Sequence, residues 1–188
     1  MNKNGLVVLV GGPSGAGKNT VIRKVIEKNP EMFGWIVSYA TREPRVGEVD
    51  GVDYHFISEA EFHELLKSGD IIEFTDRHGD FKGMGGAIID KVLSEKSVAL
   101  KDVDVKGVFA LRERGYDVFA IYLTAPRDLI EYRLVVKRGF SPDEAAHRLS
   151  DYEAHLSTAT HYDVTLDIDD ADKCAAKVYK LILDRLGK

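Results

Sequence analysis

The sequence predicts an α/β fold with a mainly parallel core sheet, and three observations carry that prediction. Short apolar runs alternate with helical stretches along the chain. A glycine-rich turn joins the first apolar run directly to the first helical one. Two long excursions interrupt the alternation where a plain connection would need far less chain. The 188 residues fit one domain able to bury a full core, and 44% hydrophobic with 30% charged residues is the balance of a globular chain rather than a disordered one.

In chain order, residues 6–10 read as a buried strand and residues 20–28 as the helix that follows the glycine-rich turn. Residues 98–103, 118–123 and 164–168 read as further core strands. Between the first two core strands, residues 38 to about 91 carry their own strands and a short helix over 59–67. Ser58 and Glu61 form a capping box at the start of that helix. This segment, 38–91, is read as an inserted subdomain. A second excursion, 127–150, has a helical pattern over 127–137 that Gly139 ends. Ser141-Pro142-Asp143-Glu144 then supplies an N-cap, a first-turn proline and an N3 glutamate for the next helix. Two helices joined by a short glycine-containing loop make a hinged flap. The core is expected from 1–37, 92–126 and 151–188, with the last helix, to about residue 186, packed back on it.

Composition removes several function classes. The net charge of -5 is spread over mixed acidic and basic residues, which argues against a nucleic-acid-binding face. The single cysteine, Cys174, cannot form an internal disulfide and suits a reducing compartment. It lies in the helical run 172–186 and reads as a buried structural thiol. The polar start of the chain is no signal peptide, and no apolar run approaches the ~20 residues of a membrane span. A soluble, cytoplasmic protein with no membrane partner is therefore expected. His55, His63, His78, His147, His155 and His161 have no metal-ligand spacing and receive no catalytic role.

Gly12-Pro13-Ser14-Gly15-Ala16-Gly17-Lys18 follows the first strand and precedes the first helix, the context a phosphate-binding loop requires. Its glycines let backbone N–H groups turn around a polyphosphate, and the helix N-terminus adds partial positive charge. Lys18 would reach the β- and γ-phosphate oxygens. The position after the lysine, where a hydroxyl usually meets Mg²⁺, is Asn19, with Thr20 next. The segment from Ser38 to Phe56 places Arg42 and Arg45 three apart around Pro44, with Ser38 and Tyr54 nearby. Arginine forks and a tyrosine hydroxyl suit a dianionic monophosphate. Taken alone, the same cluster reads equally well as a solvated, salt-bridged loop.

With these motifs in place, the sequence resembles the guanylate kinase family from the phosphate loop to Asp169-Asp170. The resemblance implies a P-loop three-layer sandwich with an inserted mixed α+β subdomain that binds a nucleoside monophosphate and a small helical lid. It implies transfer of the γ-phosphate of ATP to GMP and dGMP, with Mg²⁺ accompanying ATP. By similarity, Ser38, Arg42, Arg45 and Tyr54 hold the GMP phosphate, Glu73 reads guanine, and Asp104 also faces the base. Guanine offers N1–H and a 2-amino group as donors on one edge, which suits a carboxylate pair; adenine would leave Glu73 without a partner. An exposed charge at a strand end is the plainer account of Glu73.

The family's usual glycine-asparagine-tyrosine-tyrosine-glycine-serine/threonine stretch is Gly79-Asp80-Phe81-Lys82-Gly83-Met84 here. Lys82 stands where a phosphate-binding tyrosine is usual, and Met84 where a hydroxyl bonds guanine O6. Lys106 replaces a glutamine, and Ile168 replaces an asparagine that frames adenine. Arg133, Arg138 and Arg148 match positions that grip the ATP phosphates and the transferring group; a solvated basic helix face describes their neighbour Lys137 better. Asp102 is the leading candidate to hold Mg²⁺, with a helix-capping acid as the other reading, and Asn19 could offer its amide oxygen. Two alternatives stand beside a GMP kinase. One is a kinase of the same architecture with another small phosphate acceptor, and the other is a non-catalytic module that binds phosphorylated partners. The retained Lys18 and flap arginines argue against the latter.

Overall fold

The computed structural model describes residues 5–77, 79–150 and 152–188, apart from the side chains at 77 and 153–155. Residues 1–4, His78 and the side chain of His155 lie outside the described residues.

The first strand, β1 (Leu6–Gly11), is apolar at five consecutive positions and buried throughout, as a strand covered on both faces must be. It is the centre of a five-stranded parallel sheet with β2 (Phe33–Trp35), β7 (Val98–Asp102), β8 (Asp117–Thr124) and β9 (Val164–Asp167), in the order β2-β7-β1-β8-β9. The register aligns Val10 with Asp102 and Gly11 with Tyr122, so the carboxyl ends of β1, β7 and β8 meet along one edge. That edge is where an open α/β sheet binds ligands.

Each face of the sheet has its own core. Leu6, Val8, Val10, Leu100, Ile121 and Leu123 pack with α1 (Lys18–Lys28) and α8 (Ala171–Arg185). Val7, Leu9, Ala99, Ala120 and Tyr122 pack with α3 (Gly86–Glu95) and α4 (Val105–Glu113). At about 1.5–3 kcal/mol for each fully buried aliphatic side chain, these two clusters carry most of the hydrophobic stabilisation. The result is the three-layer sandwich expected. Cys174 belongs to the first cluster at 1% exposure, and burial pushes its thiol up.

The second sheet is mixed and four-stranded, in the order β4 (His55–Phe56), β3 (Tyr39–Ala40), β6 (Asp80–Gly85), β5 (Ile71–Arg77). All four strands come from the inserted segment. The helix α2 (Glu59–Lys67) covers this sheet through Phe62, and its capping box forms as predicted, with Ser58 and Glu61 each bonding the other's backbone N–H.

In the second excursion, α5 (Arg127–Tyr132) passes into one π-helical turn at Arg133–Lys137 rather than continuing as a regular helix. Gly139 then turns the chain in the left-handed region (φ 71°) toward α6 (Pro142–Leu149), which starts on the Ser141–Glu144 capping box. Ile130, Leu134, Ala145 and Leu149 pack around Ala16 of the glycine-rich loop, so this helical pair is seated directly on the loop. The chain continues through α7 (Tyr152–Ser157) and a single 3₁₀ turn, Thr158–His161, before β9. No helix among the described residues is long and apolar enough to cross a membrane.

Candidate active site

The loop between β1 and α1 is fixed by geometry that its glycines alone permit. Gly12 has φ 135°, and a Cβ there would lie 2.0 Å from the Leu123 carbonyl oxygen. Gly17 has φ 103° and caps α1 without any side-chain hydrogen bond, and no acid lies in the first turn. This left-handed cap starts the helix at Lys18, two residues before the position expected from sequence. The first N–H groups of α1 are thus left for an anion. Lys18 donates from Nζ to the carbonyls of Gly12 (2.7 Å) and Pro13 (3.0 Å). Burial pushes its ammonium down; Asp102 opposes that shift and Arg138 adds to it. The ammonium is therefore held over its own loop, with one carboxylate and one guanidinium nearby.

The loop opens into a cavity of about 880 Å³ lined by Gly12, Ser14, Lys18, Asp102, Glu73 and Asp104, among others. Asp102 ends β7 beside Val10, and Asp104, not Asp102, caps α4: its Oδ1 accepts from the Lys106 N–H (2.8 Å) and the Gly107 N–H (3.1 Å). The helix-capping reading of Asp102 is thereby set aside. Glu73 projects from β5 into the same cavity. Its carboxyl is pushed up to about 7, first by burial, then by Asp104 and Asp102, with Lys101 and Lys106 opposing. The plainer account of Glu73, an exposed charge at a strand end, does not describe this half-buried carboxyl.

Ser38, Tyr54 and Lys82 line the cavity as well. Lys82 donates to the Tyr54 hydroxyl (3.2 Å), so these two phosphate-ligand candidates form one unit. Arg42 stands behind it, stacked on the rings of Tyr54 (5.3 Å) and Phe56 (5.6 Å). Its guanidinium grips Glu48 through two bonds of 2.7 and 2.6 Å, which hold the Glu48 carboxyl down at about 2. Glu48 also accepts from the Arg45 N–H, while the Arg45 side chain is exposed. Both readings of this loop thus have a physical basis: it is salt-bridged, and it backs a tyrosine–lysine pair that faces the cavity. Removing the hydroxyl in Tyr54→Phe should raise the KM of a phosphate-bearing acceptor about five- to tenfold while kcat stays within twofold, a split read by steady-state kinetics.

The remaining candidates are placed unevenly. Asn19 and Thr20 are exposed on the first turn of α1. Arg133 opens the π-helical turn and donates to the carbonyls of Ala16 (2.9 Å), Ile168 (3.1 Å) and Asp169 (3.3 Å), tying the flap to the loop. Widened turns of this kind are frequent at functional sites. Arg138 ends that turn, exposed but close enough to act on Lys18. Arg148 is stacked on Phe140 at 4.3 Å, outside the cavity lining. Met84 lies opposite Glu73 in the β5–β6 ladder, with its side chain in the core at 1% exposure. Ile168 is also buried and contributes its backbone only.

Lining residues that were not foreseen include Thr75, Lys101, Thr158 and Tyr162. Tyr162 packs against Gly11, where a Cβ would lie 2.2 Å from its ring. Only a fold-level view brings that ring to the end of β1.

A family model described as guanylate kinase matches residues 3–185. The chain is 33% identical to a guanylate kinase of Streptococcus thermophilus (strain CNRZ 1066) over 184 residues, covering 97% of this chain and 88% of that protein. It is 32% identical to one of Idiomarina loihiensis over 186 residues, covering 98% and 89%. A crystal structure of guanylate kinase from Anaplasma phagocytophilum matches with a TM-score of 0.74 at 24% identity, over 100% of this chain and 89% of that one, a likeness of fold.

Proposed function

The chain belongs to the guanylate kinase family, and from that membership we propose how its own residues transfer the γ-phosphate of ATP to GMP, giving ADP and GDP. The observation that carries the residue assignments is a single cavity. It joins an uncapped helix N-terminus with its lysine to a carboxylate pair, Glu73 and Asp104, suited to the donor edge of guanine.

In this reading Gly12 to Thr20 cradle the triphosphate of ATP, and Lys18 exchanges the carbonyls of Gly12 and Pro13 for phosphate oxygens. Ser38, Tyr54 and Lys82 hold the acceptor phosphate, with Arg42 and Arg45 on the loop behind them. The acceptor oxygen is already anionic near neutral pH, so no side chain needs to deprotonate it. Phosphoryl transfer spreads charge over the equatorial oxygens, and the protein's task is placement and cation supply. Arg133, Arg138 and Arg148 supply cations when the lid, 127–150, closes on the subdomain 38–91. That closure keeps water from competing as acceptor. dGMP fits the same assignment, because no residue in it reads the 2′-hydroxyl.

Asp102 lines the cavity near Lys18 and Asn19 follows Lys18 on the first turn of α1, and the described residues contain no cluster of three His, Cys, Asp or Glu ligands. That donor set fits an ion carried in mainly by phosphates and water, the habit of Mg²⁺. When bound there, Mg²⁺ would neutralise the phosphate charge that Lys18 and the lid arginines share. With so small a protein contribution, Asn19→Ser is expected to change kcat by less than about tenfold; a gain of orders of magnitude, read in a Mg²⁺ titration of the rate, would overturn this assignment.

The test is ADP formation from ATP and Mg²⁺ with GMP, dGMP, AMP, CMP and UMP in parallel. GMP and dGMP are expected to dominate. A different preferred acceptor would keep the mechanism and move the substrate, and ATP binding without turnover on any of them would favour a binding role.

A further inference from the structure

Lys101 lines the cavity, and the assignments above give it no task. It lies on β7 in register with Leu9, so it faces the same side of the sheet as Ala99 and Leu9, the side covered by α3 and α4. Its neighbours on that face, Leu9 and Ala99, are fully buried core. A lysine among them is a costly choice unless its ammonium meets an acceptor. Among the described residues it has no hydrogen bond or ion pair; its Nζ stands 5.4 Å from the Trp35 ring centroid. A half-buried cation that rests on the Trp35 ring, with no hydrogen-bond acceptor among the described residues, and that lines the same cavity as Glu73 keeps its N–H groups for a ligand.

The guanine edge presents two kinds of group in a row: the donors N1–H and the 2-amino group, and the acceptor O6 next to them. Glu73 answers the donors. Met84, across the ladder from Glu73, is buried in the core and has no proton to donate to O6. Among the other donors on the cavity wall, Lys18 and Ser14 belong to the phosphate loop, Lys82 is engaged with Tyr54, the Tyr162 hydroxyl donates to the Val103 carbonyl, and Lys106 and Thr75 are exposed, the first at the start of α4 and the second farther along β5. We propose that Lys101 Nζ donates to O6 of the acceptor base, so that Lys101 and Glu73 read guanine as a pair. This rests on GMP being the acceptor. The pair would also reject adenine twice, since adenine places an amino group at the 6-position and an unprotonated nitrogen at N1.

The test compares wild type, Lys101→Met and Lys101→Arg with GMP, IMP and AMP, and measures inhibition by ribose 5-phosphate, which has the acceptor phosphate but no base. Wild-type turnover of GMP is read first; without it, the acceptor assignment and this inference fall together. With it, Lys101→Met should lower kcat/KM for GMP and IMP by about 10- to 100-fold, the size of a hydrogen bond to a charged group. AMP turnover should not fall and can only rise as the clash with the 6-amino group is relieved, the ribose 5-phosphate inhibition constant should stay within about twofold, and Lys101→Arg should recover most of the loss. Equal losses on AMP and ribose 5-phosphate would place Lys101 on the phosphate and overturn the proposal. Lys101 could also act only by adjusting Glu73, which is faced by Asp104, Asp102, Lys101 and Lys106. The comparison is therefore repeated at pH 8.5, where Glu73 is ionised. A loss that persists supports direct contact with O6; one that vanishes overturns it.

Discussion

Lys18→Met is expected to lower kcat for GMP phosphorylation by about 10³-fold or more while leaving the KM for GMP within a few-fold. The reason is where the charge is and when it is used. The ammonium is bonded to the carbonyls of Gly12 and Pro13 and partly buried, so it is already desolvated and aimed. Removing one preorganised donor from a site of developing charge costs about 10²–10³ in rate, and an arginine finger that meets the transferring charge in other P-loop enzymes is worth about 10³–10⁵, the range in which a buried lysine at the same charge should fall. Methionine keeps the length and apolar stem, so packing losses are small. Single-turnover rates at saturating ATP, with ATP affinity measured separately, give the answer. A kcat within tenfold of wild type would mean that the lid arginines, not Lys18, carry the transferring charge.

On the assignment proposed above, the arginines of 127–150 would each contribute differently, because their present partners differ. Arg133 already spends its guanidinium on three carbonyls of the loop and the β9–α8 connection, which makes it the fastener of the lid. Arg138 is exposed yet near Lys18, so it can join the phosphates with little movement. Arg148 must leave the Phe140 ring to take part. In the reading proposed above, the order Arg133, Arg138, Arg148 is therefore one of increasing rearrangement on closure.

The elements with strong local signals were legible in the sequence. The apolar run of β1, the glycine-rich turn and the two Ser–Glu capping boxes act within a few residues, and each formed where it was read. What failed to show was set by packing across the chain. The helix pattern of 127–137 is continuous in sequence, yet Leu134 seats against Ala16, and the regular helix gives way to a π-helical turn. A salt-bridged loop was one of two open readings of the Ser38–Phe56 segment, and only three-dimensional contact shows that Arg42 pairs with Glu48. Met84 was legible as a missing hydroxyl. Its compensation was not, because a lysine at the end of an apolar run looks like the solvent-exposed end of a strand. The fold alone turns Lys101 inward beside Glu73.

Glu73→Gln is expected to lower kcat/KM for GMP by about 10²-fold without lowering AMP turnover, since an amide offers one acceptor where N1–H and the 2-amino group require two, and its NH₂ can donate to the unprotonated N1 of adenine. The variant should also alter two pH dependences. In the wild type the carboxyl titrates at about 7, and only its ionised form can accept from both guanine donors. The KM for GMP should therefore fall as pH rises through 7; Glu73→Gln should lose that step and keep the gentler one near 6 from the GMP phosphate itself. Stability should move the other way. The folded-state value lies above the unfolded value of 4.5, so the native protein holds the proton more tightly, and stability falls as pH rises from 4.5 to 7. Above pH 7 the full cost of an ionised, half-buried carboxylate is present, about 1–3 kcal/mol. Urea denaturation at pH 8 should show Glu73→Gln more stable than wild type by that amount, and the difference should disappear at pH 4. A variant that lost GMP turnover without gaining stability at pH 8 would mean that Lys101 and Lys106 already neutralise the carboxylate in the empty site. A guanine reader that destabilises its own fold is the expected result, because the desolvation that weakens the free protein is what makes an unpaired base edge so costly in the complex.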